Sequence, residues 1–462
     1  MKGEFEMELS VRLENMREFF NDGWTLDVAY RKEALMRLKN VIKKYEYDVM
    51  DALYEDLGKS DTESYATEIG LVYEEITYML KHMDKLAKPR YVSTPLTNFL
   101  STSKIIKEPY GTALIMAPWN YPFQLCMVPL IGAVAAGNCA VVKPSNYAPH
   151  VAEVVDDIIY EAFDDEHVFV VTGGREANQD LLSHKFDYIF FTGGKAVGRT
   201  VMHAASDFLT PVTLELGGKS PCIVDSTADI ALTARRIVWG KFLNCGQTCV
   251  APDYVYVHKK VKEQLMEAIV RNIEALYGEE PLNSKDYGKI INEKHFNRLS
   301  AMLDGADIYY GGETDHERNK IAPTVIDNAD WSIPAMQEEI FGPVLPVLEY
   351  ENLNDVIREI KKRPKPLALY MFTRSKENER KVLKNVSFGG GCINDTVMHL
   401  ATTSMPFGGV GESGMGNYHG KYSFRTFSHE KSILNKSLLI DMPMRYAPYG
   451  DNMISILRLF LH

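Results

Sequence analysis

The chain has 462 residues, 45% of them apolar and 24% charged. That is the balance of an ordinary globular protein, in a chain too long for one core, so two or three domains are expected. The formal net charge of −11 argues against a nucleic-acid backbone as the main partner, although a local basic pocket for a phosphate-bearing cofactor stays open.

The first residues, Met1 to Ser10, mix acidic and apolar side chains with no basic segment followed by an apolar one, so no signal peptide is expected. From Leu9 to about Ala87 apolar residues recur at helical spacing, as in Leu13, Met16, Phe19 and Phe20 and again in Leu35, Leu38, Val41 and Ile42. Asp61 is the expected N-cap of a segment running to Leu86. These helices hold no catalytic arrangement and read as scaffold. Pro89, Pro95 and nearby Ser and Thr residues then lead to a strand containing Ile105 and Ile106.

Short apolar runs at 112–117, 139–143, 168–172, 188–192 and 212–216 alternate with helix-length segments. This rhythm predicts parallel βαβ units in an open, doubly wound sheet. A second α/β series starts after Pro221. It has helices over 230–243 and 262–276, and strands over 254–257, 344–350, 367–372 and 392–394. A Gly-rich segment covers 407–420. No stretch reaches the roughly 18 apolar residues of a transmembrane helix. The apolar tail at 453–461 is short, contains Ser455 and Arg458, and reads as a packed or interface segment. Six scattered cysteines do not make a disulfide scaffold and fit a reducing cytoplasm. Cys245 and Cys249 have no second Cys or His pair nearby, so no metal site is expected.

Several clusters carry residues able to do chemistry, each with a bland reading beside it. Asn120, in Pro118-Trp119-Asn120-Tyr121-Pro122, follows a buried run, where ligands of open α/β sheets bind. Its amide can donate to a developing oxyanion, or the segment is a turn held by two prolines. Lys143, followed by Pro144, Ser145 and Asn146, can reach a ribose or phosphate, or is a solvated strand end. Phe191 to Gly198 links a strand to a helix. There Thr192, Gly193 and Gly194 can bring backbone amides to a pyrophosphate, or form a tight structural turn. The stretch is not GxGxxG, and Arg199 stands where a P-loop needs Lys.

Glu215 lies between Leu214 and Leu216. Burial there would raise its pKa toward the range of a general base, whereas an edge strand would leave it in water. Cys249 ends the run Asn244-Cys245-Gly246-Gln247-Thr248-Cys249. A thiolate is a strong nucleophile whose aldehyde adducts split an oxidation into two steps. Most lone cysteines are inert core residues, but the polar flank argues against a core strand, and Gly246 permits a sharp approach. Glu339 can accept from ribose hydroxyls and Phe341 can pack on a nicotinamide face. The plain alternatives are a solvated Glu and a core Phe.

In their order, these clusters resemble the aldehyde dehydrogenase superfamily from about Lys107 to Lys431. Ile393-Asn394-Asp395, the stretch Pro406 to Gly411 and the stretch Ser413 to Lys421 make the likeness greatest to its class 3 branch. The resemblance implies an α/β fold with a Rossmann-like dinucleotide-binding domain (1–95 and 112–217) and a second α/β catalytic domain (218–412). A small β oligomerisation element (96–111 and 425–437) and a C-terminal tail (438–462) complete it. It implies NAD or NADP as cofactor, Cys249 as nucleophile and Glu215 as general base. Asn120 would stabilise the oxyanion with the backbone N–H of Cys249. Lys143, Ser145 and Asn146 would lie on the adenosine side, Thr192, Gly193, Gly194, Val197 and Leu216 along the dinucleotide turn, and Glu339 and Phe341 on the nicotinamide side.

The implied reaction is attack of Cys249 on an aldehyde, hydride loss to leave a thioester, and hydrolysis with Glu215. Medium- or long-chain aliphatic and aromatic aldehydes are the implied substrates, with Tyr65, Tyr110, Trp119, Tyr121 and Phe407 as candidates for an apolar tunnel. A homodimer with exchanged sheet contributions, without nucleic acid or a stable membrane anchor, is expected. Two departures matter. Asn146 stands where relatives often carry a Glu that would repel a 2′-phosphate, so NADP is expected to be accepted as well as NAD. Gly194 stands where relatives often have a hydrogen-bonding side chain. A CoA-acylating enzyme of this fold would not need Glu215, and a thiol hydrolase would not need the cofactor residues. A non-catalytic member would be expected to lack Cys249, Glu215 or Asn120. Cys245 suggests a reversible disulfide with Cys249 under oxidation.

Overall fold

The apolar runs of the first series become buried parallel strands. In the computed structural model, which describes residues 2–439, 441 and 445–460, Thr112–Met116 lies at the middle of a six-stranded sheet. Cys139–Lys143 and Val168–Val170 follow on one side, and Tyr188–Gly193 and Val212–Leu216 on the other. Alternate residues serve opposite faces, as strand pleating requires. Ala113, Ile115, Val142 and Phe190 enter the main core, while Leu114, Met116, Val141 and Phe191 enter a second one against Leu9, Leu13 and Met16. Because both faces are covered, these strands read as continuous apolar runs. Gly414–Met415 closes one edge antiparallel, with Gly414 opposite Glu215.

The second series forms a seven-stranded sheet in which Pro221–Val224 lies between Tyr254–His258 and Ala368–Phe372, all parallel. Gly390–Ile393 lies beyond Ala368–Phe372. Val344–Tyr350, Thr324–Ile326 and the antiparallel Ile308–Tyr310 extend the other side. A third, small sheet pairs Ser101–Pro109 antiparallel with Ser428–Lys436. It also takes in Arg90–Val92, which lies before the expected start at residue 96.

Two local expectations change. The helical segment starts at Asp61, but its cap is Ser60, whose Oγ accepts from the Glu63 N–H at 3.4 Å. Ser60 has the extended backbone a cap needs, and Asp61 sits in the first turn, where its charge suits the helix dipole. The tail forms a helix over Met453–Phe460, but Ile454 and Leu457 are exposed, so it is not packed into the core of its own chain. Met1, Ile440, Met442, Pro443, Met444, Leu461 and His462, which fall within the first-domain and tail expectations, lie outside the described residues. Among the described residues no helix is long and apolar enough to cross a membrane, and no group of side chains is arranged to hold a metal.

Candidate active site

Strand order places the site. The connection after Thr112–Met116 runs to Cys139–Lys143 on one side, while that after Tyr188–Gly193 runs to Val212–Leu216 on the other. Adjacent strands whose connections diverge leave a crevice beyond their carboxyl ends. That crevice is a cavity of about 210 Å³ reached by Asn120, Thr192, Glu215, Cys249, Glu339 and Phe341. The structure thus brings together the three expected chemical residues and both expected nicotinamide-side residues. Gly193, Gly194 and Leu216 line it as well.

Cys249 is held at the cavity by an unusual turn. Asn244, Cys245 and Gly246 all have positive φ, at 53°, 52° and 72°. A Cβ on Gly246 would lie 2.3 Å from the Gly342 carbonyl oxygen, so glycine is required there by close packing on the Gly342 backbone. The Asn120 side-chain N–H donates to the Gln247 carbonyl at 3.0 Å. The Asn244 side-chain N–H donates in turn to the Asn120 carbonyl at 2.6 Å. An amide nitrogen carries two hydrogens, so Asn120 retains a donor for a ligand.

Burial disfavours the charged forms of the two acids and of the thiol. Burial pushes the Cys249 thiol up to about 12, reinforced by the carboxylates of Glu339 and Glu215 and opposed by the backbone N–H groups of Cys249 and Val250. Glu215 is 3% exposed, and neither of its carboxyl oxygens has a hydrogen-bond partner within the chain. Desolvation holds its pKa well above the ordinary carboxyl value. The solvated-edge reading of Glu215 is therefore excluded. Glu339 is pushed up to about 8, by desolvation first and by Asp253 second, with the Gly218 N–H opposing. Gly217 makes room for it, since a Cβ there would lie 2.1 Å from a Glu339 oxygen.

The remaining cofactor candidates lie outside this cavity. Lys143 is buried rather than solvated, its Nζ donates to the Pro144 carbonyl at 2.8 Å, and desolvation lowers it to about 8. Ser145 accepts from the Tyr147 N–H at 3.2 Å. Asn146 is exposed against Gly174, and Val197 is exposed on the helix Lys195–Phe208. Gly194 caps that helix, and a Cβ there would meet nothing within 4 Å. The open N-terminus, the partnerless Thr192 hydroxyl and the partnerless Glu339 Oε1 suit an anionic, hydroxyl-bearing dinucleotide.

A second cavity, about 290 Å³ and mainly apolar, meets the first at Cys249. Tyr121 and Phe407 line it as expected, but Tyr65 and Tyr110 do not. Tyr65 faces solvent, and Tyr110 packs on Tyr188 at a centroid distance of 5.0 Å. Trp119 lines the first cavity instead, against Phe341 and His295 at 5.3 and 5.0 Å. Leu71, Trp239, Leu243, Met398 and Leu400 complete much of the apolar wall. Helical and loop periodicity placed none of these, because the wall is assembled from distant segments. Tyr418 lines both cavities, and the motif around it was the only signal for it. Cys245 lines neither cavity. Its sulfur lies against Gly288 and close to Tyr287, and the cysteines are free. Cys245 is buried, whereas Cys249 reaches both cavities.

Residues 7–433 match the aldehyde dehydrogenase family. The chain is 50% identical to the 4,4'-diaponeurosporen-aldehyde dehydrogenase of Staphylococcus aureus, over 94% of this chain and 95% of that one. It is 44% identical to aldehyde dehydrogenase family 3 member B3 of Mus musculus, over 97% and 94%. Its fold superposes with a TM-score of 0.96 on a solved, substrate-bound Staphylococcus aureus AldH, at 48% identity and covering 98% and 99% of the two chains.

Proposed function

The chain belongs to the aldehyde dehydrogenase family and is an oxidoreductase acting on aldehydes, and from this we propose that it converts apolar aldehydes to free acids with NAD or NADP. The observation that carries the reading is the position of Cys249, at the junction of a polar crevice and an apolar cavity. One side suits a dinucleotide and the other a hydrophobic chain. The separate six- and seven-stranded sheets support domain boundaries near residues 112 and 218.

Glu339, Thr192, Leu216 and the amides at Gly193 and Gly194 would hold the cofactor in the crevice, with Val197 beside the dinucleotide turn and Lys143, Ser145 and Asn146 toward its adenosine end. The bound oxidised nicotinamide supplies the hydride acceptor. The Cys249 sulfur loses its proton and attacks the aldehyde carbon, while its own N–H and the free Asn120 N–H hold the oxyanion. Loss of hydride leaves a thioester on Cys249. Glu215, in its ionised form, takes a proton from water, which attacks the thioester and releases the acid. Exclusion of bulk water by the apolar wall keeps the thiol adduct from premature hydrolysis.

Among the described residues, no Lys or Arg lines the apolar cavity, and desolvation lowers its His419 to about 4. Aliphatic or aromatic aldehydes without a second carboxylate therefore fit best. Exposed Asn146 offers no charge against a 2′-phosphate, which supports use of NADP as well as NAD. The open, exposed edge of Ser428–Lys436 supports a homodimer through the small sheet. Unpaired cysteines support a reducing compartment such as the cytoplasm.

The test is cofactor reduction across an aldehyde panel, with and without CoA. Free acid and reduced cofactor are expected without CoA, and Cys249→Ala is expected to abolish both. An active Cys249→Ala, or product formed only with CoA, would overturn the reading.

A further inference from the structure

The N-terminal helices, which read as scaffold, contain a buried ion pair behind the crevice. Lys59 is 1% exposed and Glu68 is 0% exposed, and Lys59 Nζ donates to Glu68 Oε1 at 2.5 Å. Taking both charges out of water is costly before their attraction is counted, so a hydrophobic pair would often serve stability as well. What the pair touches gives it another use.

Its contacts fall on one turn. Glu68 Oε2 accepts from the backbone N–H groups of Phe123 and Gln124, at 2.9 and 3.1 Å. Lys59 Nζ donates to the Asn120 carbonyl at 3.4 Å and lies 4.1 Å from the centroid of the Tyr121 ring. The Tyr121 hydroxyl shares a hydrogen bond of 2.7 Å with Thr248 Oγ1, and Thr248 precedes Cys249. One ion pair therefore grips both ends of the turn bearing Asn120, and through Tyr121 reaches the loop bearing Cys249.

We propose that Lys59 and Glu68 are positioning residues that set the Asn120 amide, relative to Cys249, for stabilising the oxyanion. This rests on the proposed role of Asn120. The fixed charges hold the Asn120 carbonyl and the amides of Phe123 and Gln124 on opposite sides of the turn. Neutral replacements release the turn without touching substrate or cofactor. A small misplacement of such a donor lowers the rate by up to about 100-fold.

The experiment is a double-mutant cycle on the full-length protein. Lys59→Met with Glu68→Gln removes both charges of the pair together, and Glu63, which Lys59 also faces, keeps the Asn244 N–H at 2.8 Å. Acylation is read from the single-turnover burst of reduced cofactor. Cys249 alkylation by iodoacetamide, a displacement that forms no oxyanion, is read beside it. The paired variant is expected to slow acylation about 10-fold to 100-fold with alkylation within about twofold of wild type. It is expected to have little further effect in an Asn120→Ala background. Lys59→Arg, which keeps the charge, is expected to recover part of the rate. Equal slowing in both backgrounds, parallel loss of alkylation, or no slowing would overturn the inference while leaving the catalytic reading intact. If Asn120→Ala acylates as fast as wild type, that role of Asn120 and this inference fall together. Should the paired variant not fold, Glu68→Gln alone is put through the same cycle with the same two outcomes.

Discussion

Replacing Glu215 by Gln should stabilise the protein while stopping its catalytic cycle halfway. Glu215 is buried without a partner, and desolvation alone raises its pKa. Between the ordinary carboxyl value and the raised one, the folded state keeps a proton that the unfolded state has lost. Stability therefore falls as pH rises through that interval, by about 1.4 kcal/mol per pH unit. Glutamine, of the same shape, has no such charge to desolvate. The two proteins should be equally stable near the ordinary carboxyl pKa and diverge in favour of Glu215→Gln above it. With an unfolding entropy of roughly 2.1 cal/mol/K per residue and 462 residues, the gain is about 1.5 °C in Tm per pH unit. It should level off above the folded-state pKa. Thermal unfolding of both proteins from pH 4.5 to pH 9 measures it. On aldehyde, the same variant should release about one equivalent of reduced cofactor per Cys249 and then stall as the thioester. A Tm difference that does not change with pH would refute the desolvation argument. Sustained turnover would refute the role as base.

Three other outcomes follow from the same geometry. Gly217→Ala should drive the Glu339 carboxylate from its niche, because the new Cβ would lie 2.1 Å from it. The cofactor KM should rise about tenfold or more for the loss of a charged hydrogen-bonding partner. Above about pH 8, where Glu339 is ionised, loss of that nearby charge should also make Cys249 alkylate faster. Leu400→Trp should fill part of the apolar cavity, lowering kcat/KM for a long-chain aldehyde about tenfold relative to a two-carbon aldehyde, as steady-state kinetics would show. Cys245→Ala should leave peroxide inactivation and its recovery by thiol unchanged, since the Cys245 sulfur faces Gly288 and Tyr287 rather than the site.

Much of the site was legible because its pieces are local. The runs at 112–117 and 212–216 announced the strands; the segment directly behind the first carries Asn120 to the crevice, and the end of the second carries Glu215 there. The need for glycine at Gly246 was legible, but its partner, the Gly342 backbone, lies far along the chain. The tunnel was not legible in this way. Tyr65 and Tyr110 have the right chemistry on the wrong faces, and the wall depends on which residues of 66–71, 239–243 and 397–401 turn inward.

The chain's own order of motifs determined the fold class, the family, and Cys249, Glu215 and Asn120 as the chemical candidates. These depend on residue type and on spacing within short segments. The tertiary structure alone decided that Glu215 is desolvated and that Lys143 and Cys245 are buried. It also showed that Lys59 and Glu68, two ordinary charged residues in a scaffold segment, grip the turn that carries Asn120. Burial and orientation arise from packing between segments far apart in the chain, and a charge is costly or useful only once its surroundings exist.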